Sequence, residues 1–301
     1  MRDVVRVVEV GPRDGLQNEK AQVPTATKIA LIDRLSACGF PVVEATSFVS
    51  PKWVPQLADA EDVLAGITRR EGVAYPVLVP NDKGLARAMA MGERHIAVFT
   101  AASDAFNLKN TNIDVDGSLA RLEPVVEQAR AAGVSVRGYV STVLGCPYQG
   151  AVPVRDVVRV AGALHAMGCD EISLGDTIGV GTPAKAREML LACAQVVPMP
   201  QLAVHFHDTY GQALANVLTC LEAGVRVVDS AVGGLGGCPY AKGASGNLAT
   251  EDLLYMLEGL GLETGVDRDA VTRTALWIGE ALGRRPASKL AAVALANGAA
   301  D

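Results

Sequence analysis

EISLGDTIGVGTPAKAREMLLACAQVVPMPQLAVHFHDTYGQALANVLTCLEAGVRVVDSAVG, residues 171–233, decides the fold. Three short apolar, β-branched runs (171–177, 202–209 and 227–233) are separated by two longer amphipathic stretches, PAKAREMLLACAQVV and GQALANVLTCLEAG. Runs of the first length read as strands and stretches of the second as helices, and the Gly closing the second helix stands where helices commonly stop. Successive strand–helix units of this kind force parallel strands joined by right-handed crossovers.

The same alternation extends towards the N-terminus. Strand candidates lie at 5–10, 42–48, 74–80, 95–101 and 135–142, with helical patterns such as TATKIALIDRLSACG, DGSLARLEPVVEQARAAG and VPVRDVVRVAGALHAMG between them. Eight units close a barrel where fewer would leave an open sheet. A doubly wound open sheet usually carries a Gly-rich phosphate turn after an early strand, and neither GxGxxG nor GxxxxGK[ST] occurs. The expected architecture is therefore α/β: a (β/α)8 barrel over about residues 4–265, with a helical C-terminal extension from about 267 to 301. Together they form a single catalytic domain.

Of 301 residues, 50% are hydrophobic and 20% charged, which suits one large core in a soluble globular chain. No apolar run reaches the roughly 18 residues that span a bilayer, so no membrane partner is expected. The net charge of -6 and the lack of a basic run argue against nucleic acid. Six cysteines are scattered without a CxxC pair, as in reduced cytoplasmic proteins. The N-terminus enters a strand directly, and the C-terminus ANGAAD is neither a peroxisomal tripeptide nor a prenylation box; a cytoplasmic location is expected.

In such a barrel the active site forms where the strands end, so polar residues there have a functional claim. Arg13 and Asp14 follow strand one, Glu44 lies on strand two, Asp176 ends strand six, and His205 and His207 sit on strand seven. The two histidines are two apart, so both imidazoles share one strand face. They read either as a metal pair or as hydrogen-bonded core histidines. Asp14 and Asn247, on loops flanking strand seven, would complete a mixed N/O donor set suited to Mg²⁺ or Mn²⁺, with Zn²⁺ and Co²⁺ also compatible. Asp14 could instead be a turn residue and Asn247 a helix cap. The loop GGLGGCPYAKGASGN (233–247) holds six glycines and presents Cys238 on a flexible tether, where a thiol can act as acid or base; the plainer alternative is an inert small apolar residue.

GPRDGLQNEK (11–20), VVEATSFVSPKWVPQ (42–56), GYVSTVLGCPYQG (138–150), ISLGDTIGVGTP (172–183), HFHDTYGQALAN (205–216) and GGLGGCPYAKGASGNLATED (233–252) together resemble the signatures of the 3-hydroxy-3-methylglutaryl-CoA lyase family. The RDG turn and the HxH strand are shared with a wider set of barrel metalloenzymes, including isopropylmalate and homocitrate synthases. The Cys-bearing loop and SFVSPKWVPQ are more specific.

The resemblance implies a divalent-metal-dependent retro-Claisen cleavage of 3-hydroxy-3-methylglutaryl-CoA to acetoacetate and acetyl-CoA. The metal ligands would be Asp14, His205, His207 and Asn247. Arg13 would face the thioester oxygen, His205 or Asp14 would take the hydroxyl proton, and Cys238 would protonate the carbanion. Glu9 and Glu44 would orient Arg13 and tune the metal, and Asp176 would do the same or simply end its strand. Lys20, Lys109 and Asn110, placed on loops at the barrel top, would meet the CoA moiety if they are more than solvated surface groups. The implied partners are a small acyl-CoA and a second copy in a homodimer. A Claisen-type acyltransferase, or a lyase of a related 3-hydroxyacyl-CoA, is the alternative; the acyltransferases usually carry a longer chain with a regulatory domain.

Overall fold

The computed structural model describes residues 3–237 and 246–298. Nine parallel strand segments, β1 (Arg6–Glu9), β2 (Val42–Val43), β3 (Thr46–Ser47), β4 (Val77–Leu78), β5 (His95–Ala101), β6 (Ser135–Ser141), β7 (Glu171–Asp176), β8 (Leu202–Phe206) and β9 (Val227–Ser230), pair in the order β2-β1-β9-β8-β7-β6-β5-β4-β3. The two ends of that order are neighbours in the chain, separated only by Glu44 and Ala45. Across the break Glu44 N–H donates to Glu9 O at 2.9 Å, while Ala45 N–H donates to Pro76 O at 2.9 Å. One interrupted strand thus bonds to both neighbours and closes an eightfold barrel, as expected for this α/β chain.

The expected strand at 42–48 is therefore two pieces, and the one at 74–80 shrinks to Val77–Leu78. Pro76 and Pro80 flank it, and neither can donate to a ladder. The helices packed outside are α1 (Thr25–Ala37), α2 (Ala60–Gly66), α3 (Asp82–Ala90), α4 (Asp104–Thr111), α5 (Val115–Ala131), α6 (Val154–Met167), α7 (Pro183–Cys193), α8 (Ala213–Glu222) and α9 (Thr250–Gly259). In the C-terminal extension α10 (Arg268–Ala281) and α11 (Lys289–Ala296) follow. The tail is tied to the barrel by Asp267 N–H on Cys38 O at 2.8 Å and Ala287 N–H on Gly233 O at 2.9 Å. Helix α4 corrects the placement of Lys109 and Asn110: they stand on a helix whose first turn is capped by Ser103, not on a loop.

Strand faces divide the core from the site. Val136, Val140, Ile172, Leu174, Val204 and Val228 are buried on the helix-facing side. Arg137 and Tyr139 point the other way and reach across the barrel, Arg137 to Asp229 at 2.6 Å and Tyr139 to Glu44 at 3.3 Å. The interior is thus polar in a fold whose barrels are usually filled with branched aliphatics. Among the described residues no helix is long and apolar enough to cross a membrane.

At Gly138 the sheet meets helix α6 closely, since a Cβ there would sit 3.1 Å from Leu164 Cδ1 and 3.3 Å from both Cys169 Sγ and Ile172 Cδ1. Gly138→Val should overpack this contact and lower the unfolding free energy by about 1–3 kcal/mol. An unchanged urea midpoint would show that the helix yields without cost.

Candidate metal centre

The site begins where β1 ends. Gly11–Gly15 forms a single π-helical turn with Pro12 in its first positions, and the chain is pressed so closely that a Cβ on Gly11 would lie 2.6 Å from Glu9 Oε1 and one on Gly15 2.6 Å from Leu235 Cβ. This turn aims Arg13 and Asp14 into the barrel mouth. Arg13 is buried; its Nε donates to Glu44 Oε2 at 2.9 Å, its second nitrogen lies 2.8 Å from the same oxygen, and its third donates to Asp14 Oδ1 at 2.6 Å. The guanidinium also stands 5.4 Å from the centre of the Tyr139 ring. Burial would weaken its charge, but Glu44 and Asp14 outweigh that and hold its pKa above the ordinary value.

Strand β8 and its continuation bring the two histidines. The ligating atoms of Asp14, His205 and His207 all lie within 4.8 Å of one another, with His205 Nε2 3.9 Å from Asp14 Oδ2. Burial alone would raise the Asp14 pKa, yet Arg13 and the two imidazoles hold it below the usual carboxylate range. Burial and the neighbouring His205 push His207 down to about 4, so its ring is neutral and has a lone pair to share. Among the described residues the buried His207 Nδ1 has no hydrogen-bond partner. An ionised carboxylate, a neutral imidazole with an orphaned nitrogen and a second imidazole fit a divalent cation by donor type and by spacing. Asn247 arrives from the far side of the Gly-rich loop, paired with His207 in an antiparallel bridge. Its Nδ2 donates to Asp14 Oδ2 at 2.8 Å and to Leu235 O at 3.1 Å. It caps no helix, since the N-cap of α9 is Ala249.

Above these groups opens a cavity of about 750 Å³, lined by Arg13, Asp14, Tyr139, His205 and His207 below and by Trp53, Leu108, Lys109 and Asn110 towards solvent. Lys20 is exposed and is not among its lining residues. Cys238 lies outside the described residues, although Gly237, just before it, lines the cavity.

Two expected contacts take another form. Glu44 holds Arg13, but Glu9 does not touch it: Glu9 accepts Gly11 N–H at 2.8 Å, Val232 N–H at 3.0 Å and the Thr250 hydroxyl at 2.7 Å. It therefore ties the turn bearing Arg13 and Asp14 to the base of the Gly-rich loop. Asp176 accepts Val180 N–H at 3.2 Å and Gly181 N–H at 2.7 Å, closing the turn after β7, while its carbonyl receives His207 N–H at 3.3 Å. Four interior groups went unread in the sequence: Arg137, Tyr139, Ser173 and Asp229. The available signal was a charged or polar residue at an inward position of an otherwise apolar strand, as in SVRGYVST and VVDSAVG.

A family model described as HMGL-like matches residues 4–278. The chain belongs to the HMGL-like family. It is 61% identical to the mitochondrial hydroxymethylglutaryl-CoA lyase of Bos taurus over 95% of this chain and 88% of that one. It is 56% identical to a cytoplasmic 3-hydroxy-3-methylglutaryl-CoA lyase of Rattus norvegicus, over 96% and 84%. In structure it is similar to the crystal structure of hydroxymethylglutaryl-CoA lyase from Pseudomonas aeruginosa, with TM-score 0.96, 54% identity and 99% of both chains covered. An HMG-CoA lyase from A. baumannii, solved in complex with coenzyme A and 3-methylmalate, matches with TM-score 0.92 and 41% identity over 96% of this chain and 94% of that one. The family model and both structures thus cover nearly the whole length of this chain.

Glu9 also makes the fold sensitive to pH. Burial raises its pKa from 4.5 to about 8, and a buried acid of this kind contributes stability that is full below its unfolded pKa and lost as pH rises through the folded one. The difference in unfolding free energy between the wild type and Glu9→Gln should therefore shrink from about pH 4.5 to about pH 8. Urea titrations at several pH values measure it, and a flat difference would place the carboxyl in its ionised form throughout.

Proposed function

We propose that this chain is a divalent-metal-dependent carbon–carbon lyase that cleaves 3-hydroxy-3-methylglutaryl-CoA to acetoacetate and acetyl-CoA. One observation carries the reading: a guanidinium bonded to the same carboxylate around which two imidazoles gather, at the floor of a deep cavity, in a chain so similar to lyases of that name. Asp14, His205, His207 and Asn247 would hold the cation, Mg²⁺ or Mn²⁺, which when bound supplies Lewis acidity to a chelated hydroxyl and carboxylate.

The reaction removes the C3 hydroxyl proton, breaks the C2–C3 bond and leaves its electron pair as a thioester enolate, which takes up a proton at carbon. Arg13, locked by Glu44 and Asp14, offers the enolate oxygen a charge-assisted donor that needs no reorganisation. Asp14 receives the hydroxyl proton, or His205 does where its Nε2 is not holding the cation, since a ring with Nδ1–H and a ligated Nε2 has no lone pair left. Cys238, on the loop whose base Glu9 fixes, delivers a proton to the carbanion. Lys109 and Asn110 stand at the rim where the pantetheine and phosphates of CoA would lie, whereas Lys20 is left as a solvated lysine. The five cysteines among the described residues are free and buried, which suits a reducing compartment; a cytoplasmic, homodimeric enzyme with one catalytic domain completes the reading.

Incubation with 3-hydroxy-3-methylglutaryl-CoA and Mg²⁺ or Mn²⁺ should release acetoacetate, and EDTA should abolish turnover. A panel of other 3-hydroxyacyl-CoA thioesters then defines the acyl group; no product from any of them would end the lyase reading. Arg13→Gln should lower kcat on the order of 10³-fold while KM moves little. A change confined to KM would remove Arg13 from the enolate.

A further inference from the structure

Asp229, in the middle of β9, is buried beneath the metal-site residues. Its Oδ1 accepts Arg137 at 2.6 Å; its Oδ2 accepts Arg137 at 2.9 Å, the Ser173 hydroxyl at 2.9 Å and His205 Nδ1 at 3.1 Å. The bidentate guanidinium makes this an ion pair, so the carboxylate only accepts. Arg137 is itself braced, its Nε donating to Glu171 Oε1 at 2.7 Å and another nitrogen to the Tyr139 hydroxyl at 2.7 Å. Glu171 in turn bonds Arg6 at the opposite end of the barrel. The acceptor facing His205 is thus fixed from three other strands, β6, β7 and β1.

An acceptor-only oxygen at 3.1 Å requires a donor opposite it, so the ring nitrogen there carries hydrogen. We infer that Asp229 is a positioning residue that locks His205 as the Nδ1–H tautomer, turning the lone pair of Nε2 towards Asp14 and His207. The inference rests on the metal reading of this cluster. It also makes the two imidazoles unequal: His205 is preoriented by a carboxylate, whereas His207 Nδ1 has no partner among the described residues. Partners of this kind typically contribute 10–100-fold to metal affinity. Asp229 has no ligating role of its own, because Arg137, Ser173 and His205 occupy its oxygens.

Asp229→Asn separates the carboxylate's two functions. The two donors of Arg137 would claim the amide oxygen and turn its NH₂ towards His205, so that Nδ1 must accept and the proton moves to Nε2, the atom needed for the metal. In wild-type protein carrying ¹⁵N-histidine at alkaline pH, His205, assigned from its loss in His205→Gln, should show a pyrrole-like Nδ1 and a pyridine-like Nε2. The two shifts should exchange in Asp229→Asn. By calorimetry with Mn²⁺ alone, Asp229→Asn should bind about 10–100-fold more weakly. Ser173→Ala, which strips one hydrogen bond from the same oxygen without adding a donor, should bind nearly as wild type. An Nε2–H ring in the wild type, or unaltered shifts or affinity in a folded Asp229→Asn, overturns the inference. If that variant does not fold, the wild-type spectrum alone decides. Absence of Mn²⁺ binding to the wild type would instead overturn the metal reading, and the spectrum would still decide the tautomer.

Discussion

Arg13 must carry a full positive charge inside a protein, and much of the upper barrel is organised around that requirement. An isolated buried ion costs several kcal/mol or more, and removing one member of a buried pair typically costs about 3–5 kcal/mol. Here Glu44 takes two guanidinium nitrogens and Asp14 the third, while Tyr139 lies against the guanidinium. These partners come from β1's turn, from the gap between β2 and β3, and from β6, so the ion can be satisfied only when the barrel is closed. The break at Glu44 follows the same logic: its backbone switches partners from one neighbouring strand to the other just where its side chain is needed inside.

Below Arg13 the interior continues as a line in which acidic groups alternate with an imidazole and guanidinium groups: Asp14, His205, Asp229, Arg137, Glu171 and Arg6. Replacing such a line by packed aliphatics is often neutral or stabilising, so folding stability alone gives little reason to keep it. Its consequence is directional. Asp229 has its acceptors filled by Arg137 and Ser173, which leaves His205 above it with a fixed orientation and its other ring nitrogen facing the cavity. The barrel wall supplies the rigidity and the loops supply the opening above it.

The architecture was legible because hydrophobic periodicity is local: six- to eight-residue β-branched runs and helices closed by Gly need no tertiary knowledge. The ligand candidates were legible for a related reason, since HFH on a strand dictates a shared face and RDG stands directly after one. What stayed hidden was pairing across the barrel. Glu9 and Glu44 look equivalent in sequence, each ending an apolar strand, yet one grips backbone N–H groups of two loops and the other grips Arg13. Nothing local marks Asp229, because VVDSAVG reads as an ordinary buried strand; its importance comes from Arg137, ninety-two positions earlier, and no local pattern encodes that distance. The split of the second strand was hidden for the same reason, as its two halves are defined by different neighbours.

The Gly-rich loop shows how site and fold constrain each other. Gly236 has φ +123, and a Cβ there would lie 2.8 Å from Asn247 Nδ2; a Cβ on Gly246 would lie 2.5 Å from Gly236 C. The two stems of the loop therefore cross at van der Waals limits, and only glycines allow Asn247 to reach Asp14. Glu9 and Glu251 fasten the same stem from beneath through Val232 N–H and Gly233 N–H, each at 3.0 Å. The glycines thus do more than loosen a connection: at the stems they permit a contact that no side chain would allow.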